Sequence, residues 1–372
     1  MMNDNKNITI ISVGDIFFGE HPVTLGHGVN TGVNKFGCEY LFKKIKDNLH
    51  DGDIICGNLE GIISPKNDDQ NSIINKIFWG NPECASVMAN VGFNCLFLAN
   101  NHCAQHGKMA LEQTCLLLDN NGINWTGYNP RCPNSSIPVI FNIKGLRIGF
   151  LAYCETQQYH LENLFLSQLS YENIKQDVQK LKRECDLIVV SLHWGDEFIN
   201  YPSPDQIHLA HKIIDLGVNL ILGHHSHTMQ GIERYKHGLI AYSLGNFINN
   251  LWPRKLRESV ILKCNITPPG IISYQLYPIY INDNYQPVNY SGKNGEIFLK
   301  HIDHLTKALE EFQDSDFGVM RKRYERDVKR LLFLDRLGTI WHYIRNIFRY
   351  DKKLLFQNIL LMFKRRIYIK NF

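Results

Sequence analysis

Leu222-Gly223-His224-His225-Ser226-His227 sets three imidazoles within four positions, directly after the short run Asn219 to Leu222. That run reads as the end of a buried strand, so the histidines fall where strand gives way to loop. Imidazoles fill an apolar core poorly. At a strand's carboxyl end, with Gly223 easing the turn, they can converge on one point. His225 and His227, two apart in an extended segment, are expected to share a side and aim two lone pairs at a metal.

The same grammar recurs along the chain. Ile8 to Val13 is a β-rich run ending at Gly14-Asp15, and Asp53 to Cys56 leads into Gly57-Asn58-Leu59-Glu60-Gly61. Leu96 to Ala99 delivers Asn100-Asn101-His102, Asp186 to Leu192 ends at His193-Trp194-Gly195, and Leu239 to Leu244 ends at Gly245-Asn246-Phe247. Between them lie helical patterns over 36–49, from Asn81-Pro82 to Val91, over 107–121, from Ser170 to Cys185, and from Ser203-Pro204-Asp205-Gln206 to Leu216. The last opens with a capping box and Pro at N1. Val139 to Ile143 and Arg147 to Tyr153 read as a hairpin about Lys144-Gly145, and 260–266 and 272–281 as late strands. Strand, polar loop and helix in alternation predict an α/β fold with buried sheets.

Composition adds limits. Hydrophobic residues at 44% and charged at 20% describe a globular protein, and no apolar run reaches the ~18 residues of a membrane span. The N-terminus lacks the apolar region of a signal peptide, and the ten cysteines form no C-x-x-C pair, so a reducing cytoplasm is the expected compartment. The net charge of +4 is unevenly spread: Met320 to Phe372 holds 15 Lys and Arg against 4 Asp and Glu, a local balance of +11 on an otherwise acidic chain. The expected organisation is a body over 1–281, a linker over 282–295 and a helical basic region over 296–372. In that region apolar clusters such as Leu331 to Leu334, Ile340-Trp341 and Leu354 to Phe356 alternate with Arg336, Arg345, Arg349, Lys352 and Lys353. Three readings stay open: a helix on the inner face of a membrane, a helix that binds a partner, or helices packed on the body. No groove-reading motif accompanies the charge, so nucleic acid is not the expected partner.

In α/β sheets, sites form beyond the carboxyl ends of strands, where Asp15, Asn58 with Glu60, Asn101-His102, His193, and His225 with His227 can meet. Carboxylate, amide and imidazole together suit one or two divalent ions such as Mn, Fe or Zn. Two ions could clamp both ends of an in-line phosphoryl displacement. The order and spacing of Ser12-Val13-Gly14-Asp15, Gly57 to Gly61, Leu98 to His102, Ser191 to Glu197, Gly223 to His227 and Tyr242 to Phe247 resemble the CapA family of bacterial capsule and poly-γ-glutamate synthesis. That family is a branch of the calcineurin-like metallophosphatase superfamily. The resemblance covers about residues 8–265, with further matches at Pro202, Pro204 and Gln206, and leaves the tail uncovered.

The resemblance implies a β-sandwich flanked by helices with a two-metal centre at the sheet edge. It assigns Asp15 and His227 to one metal, Asn101, His193 and His225 to the other, and Glu60 or Asn58 to the bridge. His102 matches the histidine that contacts the leaving group or phosphate. His224, Glu197, Asn246 and Gln105 are candidates for substrate contact or for support of the ligands. Phe17 stands where the wider superfamily has a ligand histidine. Gln105 stands where the family has an Asp, weakening a metal site or a bond to His102 unless His106 compensates. Two functions follow. The first is a metal-dependent, phosphoesterase-like hydrolase of surface-polymer synthesis. The alternative is a non-catalytic accessory protein that binds an anionic polymer or phosphorylated intermediate.

Overall fold

Alternate residues of the long strands part to opposite faces, and that parity builds the molecule. In the computed structural model, which describes residues 7–65, 77–132, 134–155, 165–267, 270–312, 317–350 and 356, β1 (Ile8–Ile16) turns Ile8 and Ile10 to one core and Ile11 and Val13 to another. β1 lies near the middle of an eight-stranded sheet. On one side follow β2 (Ile54–Leu59), β5 (Cys95–Phe97) and β6 (Asn124–Thr126), all parallel. On the other lie antiparallel β14 (Glu258–Thr267), β15 (Gly270–Ile281) and β16 (Pro287–Asn289). β13 (Asn246–Ile248) pairs with the end of β1, setting Asn246 opposite Asp15. Apart from it, β3 (Ile62–Ile63) and β4 (Trp79–Gly80) make a small two-stranded sheet.

A six-stranded sheet packs on the first. Its order is β11 (Ile232–Tyr235), β12 (Gly238–Ala241), β10 (Leu220–His224), β9 (Leu187–His193), β8 (Leu146–Cys154) and β7 (Val139–Ile143). Leu187, Val189, Leu220 and Leu222 meet Ile8, Ile10, Ile54 and Cys56 in one buried cluster, so the sheets form a sandwich. Helices cover both outer faces. α1 (Val29–Phe36), α2 (Glu39–Phe42), α3 (Cys84–Asn90) and α4 (Gly107–Asn120) lie on the first sheet. α5 (Tyr171–Leu181) and α6 (Pro204–Asp215) lie on the second, through Ile174, Val178, Ile207 and Ile213. Ser170 caps α5, and the Ser203–Gln206 capping box forms.

Three expectations need correction. The helix expected over 36–49 is broken: α1 ends at Phe36, the short α2 covers Glu39–Phe42, and a 3₁₀ turn follows at Lys46–Asn48. The apolar spacing there marks buried positions (Leu41, Ile45, Leu49) without continuous helix. The linker expected over 282–295 contains β16, which extends the first sheet, and the first turn of α7 (Gly292–Glu310). α7 belongs to the body as well, because Phe298 and Ile302 enter the core between the sheets. Between β15 and β16, Asn282 Oδ1 accepts from the Asn284 and Gln286 amides and closes the turn. α8 (Phe317–Arg345) then runs back over the strand ends, and the apolar and basic residues 351–355 and 357–372 lie outside the described residues.

Candidate metal centre

Two close approaches bring the strand ends of both sheets together. A Cβ on Gly223 would stand 1.8 Å from the Tyr242 carbonyl oxygen, and one on Gly14 would stand 2.1 Å from that of Gly245. Only glycine lets these backbones meet. Beyond them, His225 and His227 take positive φ of 88° and 56°, so the segment is not extended as expected. This turn sends the two rings to different neighbours. His225 lies against His193, with ring centroids 4.6 Å apart, whereas His227 Nδ1 lies 3.4 Å from Asp15 Oδ2.

The result is two groups of ligand type that share one residue: Glu60, His193 and His225, and Asp15, Glu60 and His227, each with its ligand atoms within 4.8 Å of one another. Glu60 Oε1 is 3.8 Å from both His193 Nε2 and His227 Nε2. It is buried and has no hydrogen-bond partner among the described residues. Asn101 adjoins the first group, its Oδ1 3.0 Å from His193 Nε2. Of the two residues proposed for the bridge, Glu60 therefore occupies the shared position. Asn58 stands behind it: its Nδ2 donates to Asp15 Oδ1 at 2.8 Å, and its Oδ1 accepts from Asn100 Nδ2 at 3.1 Å.

The surrounding groups hold these in place. His224 is fully buried with Nδ1 3.2 Å from Asp15 Oδ1, so it supports Asp15 and cannot reach a substrate. Asn246 Oδ1 is 3.0 Å from His227 Nδ1 and also accepts from Asn249 Nδ2. His102 stacks on Phe78, with centroids 4.0 Å apart and planes 10° apart, and its Nε2 is 4.0 Å from Glu60 Oε1. Gln105 keeps the contact feared lost, its Oε1 lying 3.0 Å from His102 Nδ1. His106 does not compensate, since its Nε2 faces the Ile77 carbonyl. Phe17 is buried with Leu25, Ile77 and Phe78 and forms an apolar wall beside the centre.

Charge follows from burial. Burial pushes His102 and His225 down to about 3 and His193 well below the usual imidazole value, so these rings are neutral with lone pairs to offer. Burial raises Glu60 well above the ordinary carboxylate range, against the pull of His227. For Asp15, burial acts upward, but the adjacent His224 and His227 imidazoles outweigh it and hold the group well below that range. Burial opposes a charge on His227, yet Glu60 and Asp15 lift it to about 10. A pocket that draws positive charge between two buried carboxylates, with an orphan oxygen and neutral imidazoles facing it, fits a divalent cation.

Two clefts reach the centre beneath α8, one under each half of the helix. One, of about 280 Å³, exposes Glu60, His102, His227 and Glu197 beneath Thr339 and Tyr343. Glu197, whose carboxyl is pushed up by burial, faces this space. The other, of about 550 Å³, reaches His225 beneath Tyr324 and Val328.

A family model described as bacterial capsule synthesis protein PGA_cap matches residues 9–251. The chain belongs to this family. The match spans the strand ends that carry the centre, from Asp15 to Asn246, and leaves out α7 and α8. Among the family's relatives of this chain is the capsule biosynthesis protein CapA of Bacillus anthracis, 27% identical over 290 residues, 75% of this chain and 69% of that protein. The PGA biosynthesis protein CapA of Bacillus subtilis (strain 168) is 23% identical over 285 residues, 73% and 71% respectively. Solved structures include a hypothetical protein of Thermus thermophilus, 12% identical with a TM-score of 0.47 over 73% of this chain and 98% of that one. A putative 5'-nucleotidase from Staphylococcus aureus is 14% identical with a TM-score of 0.43 over 86% and 58%.

Sequence reasoning missed Asn100. Its Nδ2 donates to Asn58 Oδ1 and the Leu59 carbonyl, while its Oδ1 accepts from the His102 and Cys103 amides. It ties two strand ends together, and only its place in the Asn-Asn-His run hinted at that. Phe78, which supports His102 at a φ of 57°, carried no signal.

Proposed function

We propose that the chain is a metal-dependent, phosphoesterase-like hydrolase that processes an anionic surface polymer or a phosphorylated intermediate of its synthesis. The observation that carries this reading is Glu60, shared by both ligand groups, whose buried Oε1 has no hydrogen-bond partner among the described residues. Asp15, Glu60 and His227 would hold one ion, and Glu60, His193 and His225, with Asn101 beside them, a second. A bound Mn, Fe or Zn ion would supply charge neutralisation and Lewis-acid activation of water. The chain's own groups do the rest. Gln105 Oε1 selects the Nδ1–H tautomer of His102, so Nε2 faces the cleft and takes or returns a proton, or hydrogen-bonds the leaving group. The Phe17–Phe78 wall excludes water from one side of that ring.

The relatives' names place those proteins in capsule and PGA biosynthesis, which supports the process named here. A cytoplasmic location goes with the reading. Among the described residues no helix is long and apolar enough to cross a membrane. One observation favours a second reading, a non-catalytic polymer-binding accessory: Phe17 is buried wall at the position where the wider superfamily has a ligand histidine. The test is metal content of the full chain after loading with Mn, Fe or Zn, followed by hydrolysis of phosphoester and γ-glutamyl substrates. Metal with hydrolysis supports the enzyme. Metal without hydrolysis supports the accessory, and no metal removes the centre from both.

A further inference from the structure

α8 has two working faces. Its buried and half-buried positions recur at Tyr324, Val328, Leu331, Asp335, Thr339, Tyr343, every third or fourth residue, and this stripe faces the body. Tyr201 donates to Asp327 at 2.7 Å, Tyr343 to the Pro22 carbonyl at 3.2 Å, and His342 stacks on Trp252 at 4.1 Å. The same stripe roofs both clefts of the candidate centre.

The opposite face is fully outward and changes character along its length. Lys322, Arg326 and Arg330 are exposed on its first half. Phe333, Leu337, Ile340, Trp341 and Ile344 follow on the same side, exposed by 59, 49, 54, 65 and 59%. Phe348 beyond the helix is 98% exposed. Single exposed apolar residues are ordinary, but a run spaced by three and four along one face is an interaction surface. Arg336, Arg345 and Arg349 are exposed around that run. No carboxylate lies among its members between Asp335 and Arg349. Bulky apolar side chains with an aromatic at their centre and cations around them match a bilayer interface with anionic headgroups.

We infer that the outer face of α8 docks on an anionic lipid bilayer, apolar half inserted and basic half on the headgroups. Because the inner face of this helix roofs both clefts, docking holds their mouths at the membrane surface. A substrate made or anchored there then reaches the centre along the bilayer plane. The inference stands on α8 alone and holds whether or not the centre turns over substrate.

The test is flotation of the full chain with phosphatidylcholine vesicles with and without phosphatidylglycerol, at low and high salt. Binding should require phosphatidylglycerol and weaken with salt. Ile340→Ser with Ile344→Ser, or Arg326→Glu with Arg330→Glu, should each lower partitioning by at least ~10-fold. Trp341 should contribute a blue shift in emission on binding that is absent from Trp341→Phe. These sites face outward, so each variant should melt like the parent. Failure to bind anionic vesicles overturns the inference, as does binding that neither pair of substitutions changes. If the Ile340–Ile344 pair instead abolishes a concentration-dependent dimer, the stripe covers a second copy and the bilayer is excluded.

Discussion

Glu60 bears the sharpest residue-scale expectation. Its carboxylate is costly to bury without a partner, so Glu60→Gln should release bound metal while melting no lower than the metal-free parent. Elemental analysis beside a thermal melt checks both halves, and a variant that keeps its metal would remove Glu60 from the bridge. His102 makes the opposite kind of prediction. His102→Asn should keep the metal and lower turnover by roughly 10²–10⁴-fold, as for loss of a general acid or base. Equal rates for parent and variant on one substrate would end that role. The sequence showed Asp15, Glu60, Asn101, His193 and His225 as ligand types at strand ends, because motif spacing survives without coordinates. It could not show that His225 and His227 part company, since that depends on two positive φ angles. Nor could it show that Asn100, rather than Asn101, turns inward to tie β2 to the His102 loop.

At the scale of elements, the glycine contact between β10 and the chain after β12 is the fixed point. Gly223→Ala would drive a methyl into the Tyr242 carbonyl, a backbone atom that cannot swing aside. Loss of about 1–3 kcal/mol or more is expected in urea titration. The seating of α8 should depend on pH. Burial, with Arg349 nearby, holds His27 at about 4, and burial with Arg349 and Arg345 does the same for His342. His27 meets Tyr350 edge-on at 4.7 Å, so both histidines lie where the end of α8 meets the body. A histidine freed from that junction titrates near ~6.5, so the undocked state binds more protons between the two values. Docking is then fullest above the higher value and weakens as pH falls toward the lower. Proteolytic cleavage within α8 should quicken from about pH 7 to about pH 5, less so in His342→Gln. The short strands β13 (Asn-Phe-Ile) and β16 (Pro-Val-Asn) escaped the sequence reading because Asn246, Pro287 and Asn289 read as turn residues and leave no apolar run.

For the whole molecule, the α/β class and most parallel strands were legible because each strand is buried on both faces and reads as a continuous apolar run. The division between body and tail was not. α7 looks charged in sequence yet buries Phe298 and Ile302, since four buried positions suffice to seat a helix. Metal should stabilise the whole fold, by about 2.7 kcal/mol at free ion a hundredfold above its dissociation constant. A melt that chelator leaves unchanged would contradict that. The ligand groups also draw on both sheets: Asp15 lies at the end of β1 and Glu60 just after β2, while His193 ends β9 and His225 and His227 follow β10. An ion held between them would act as a rivet through the sandwich. Amide protons deep in either sheet should then exchange with deuterium together and slowly in the loaded protein. Once the rivet is drawn, each sheet becomes free to breathe at its own pace.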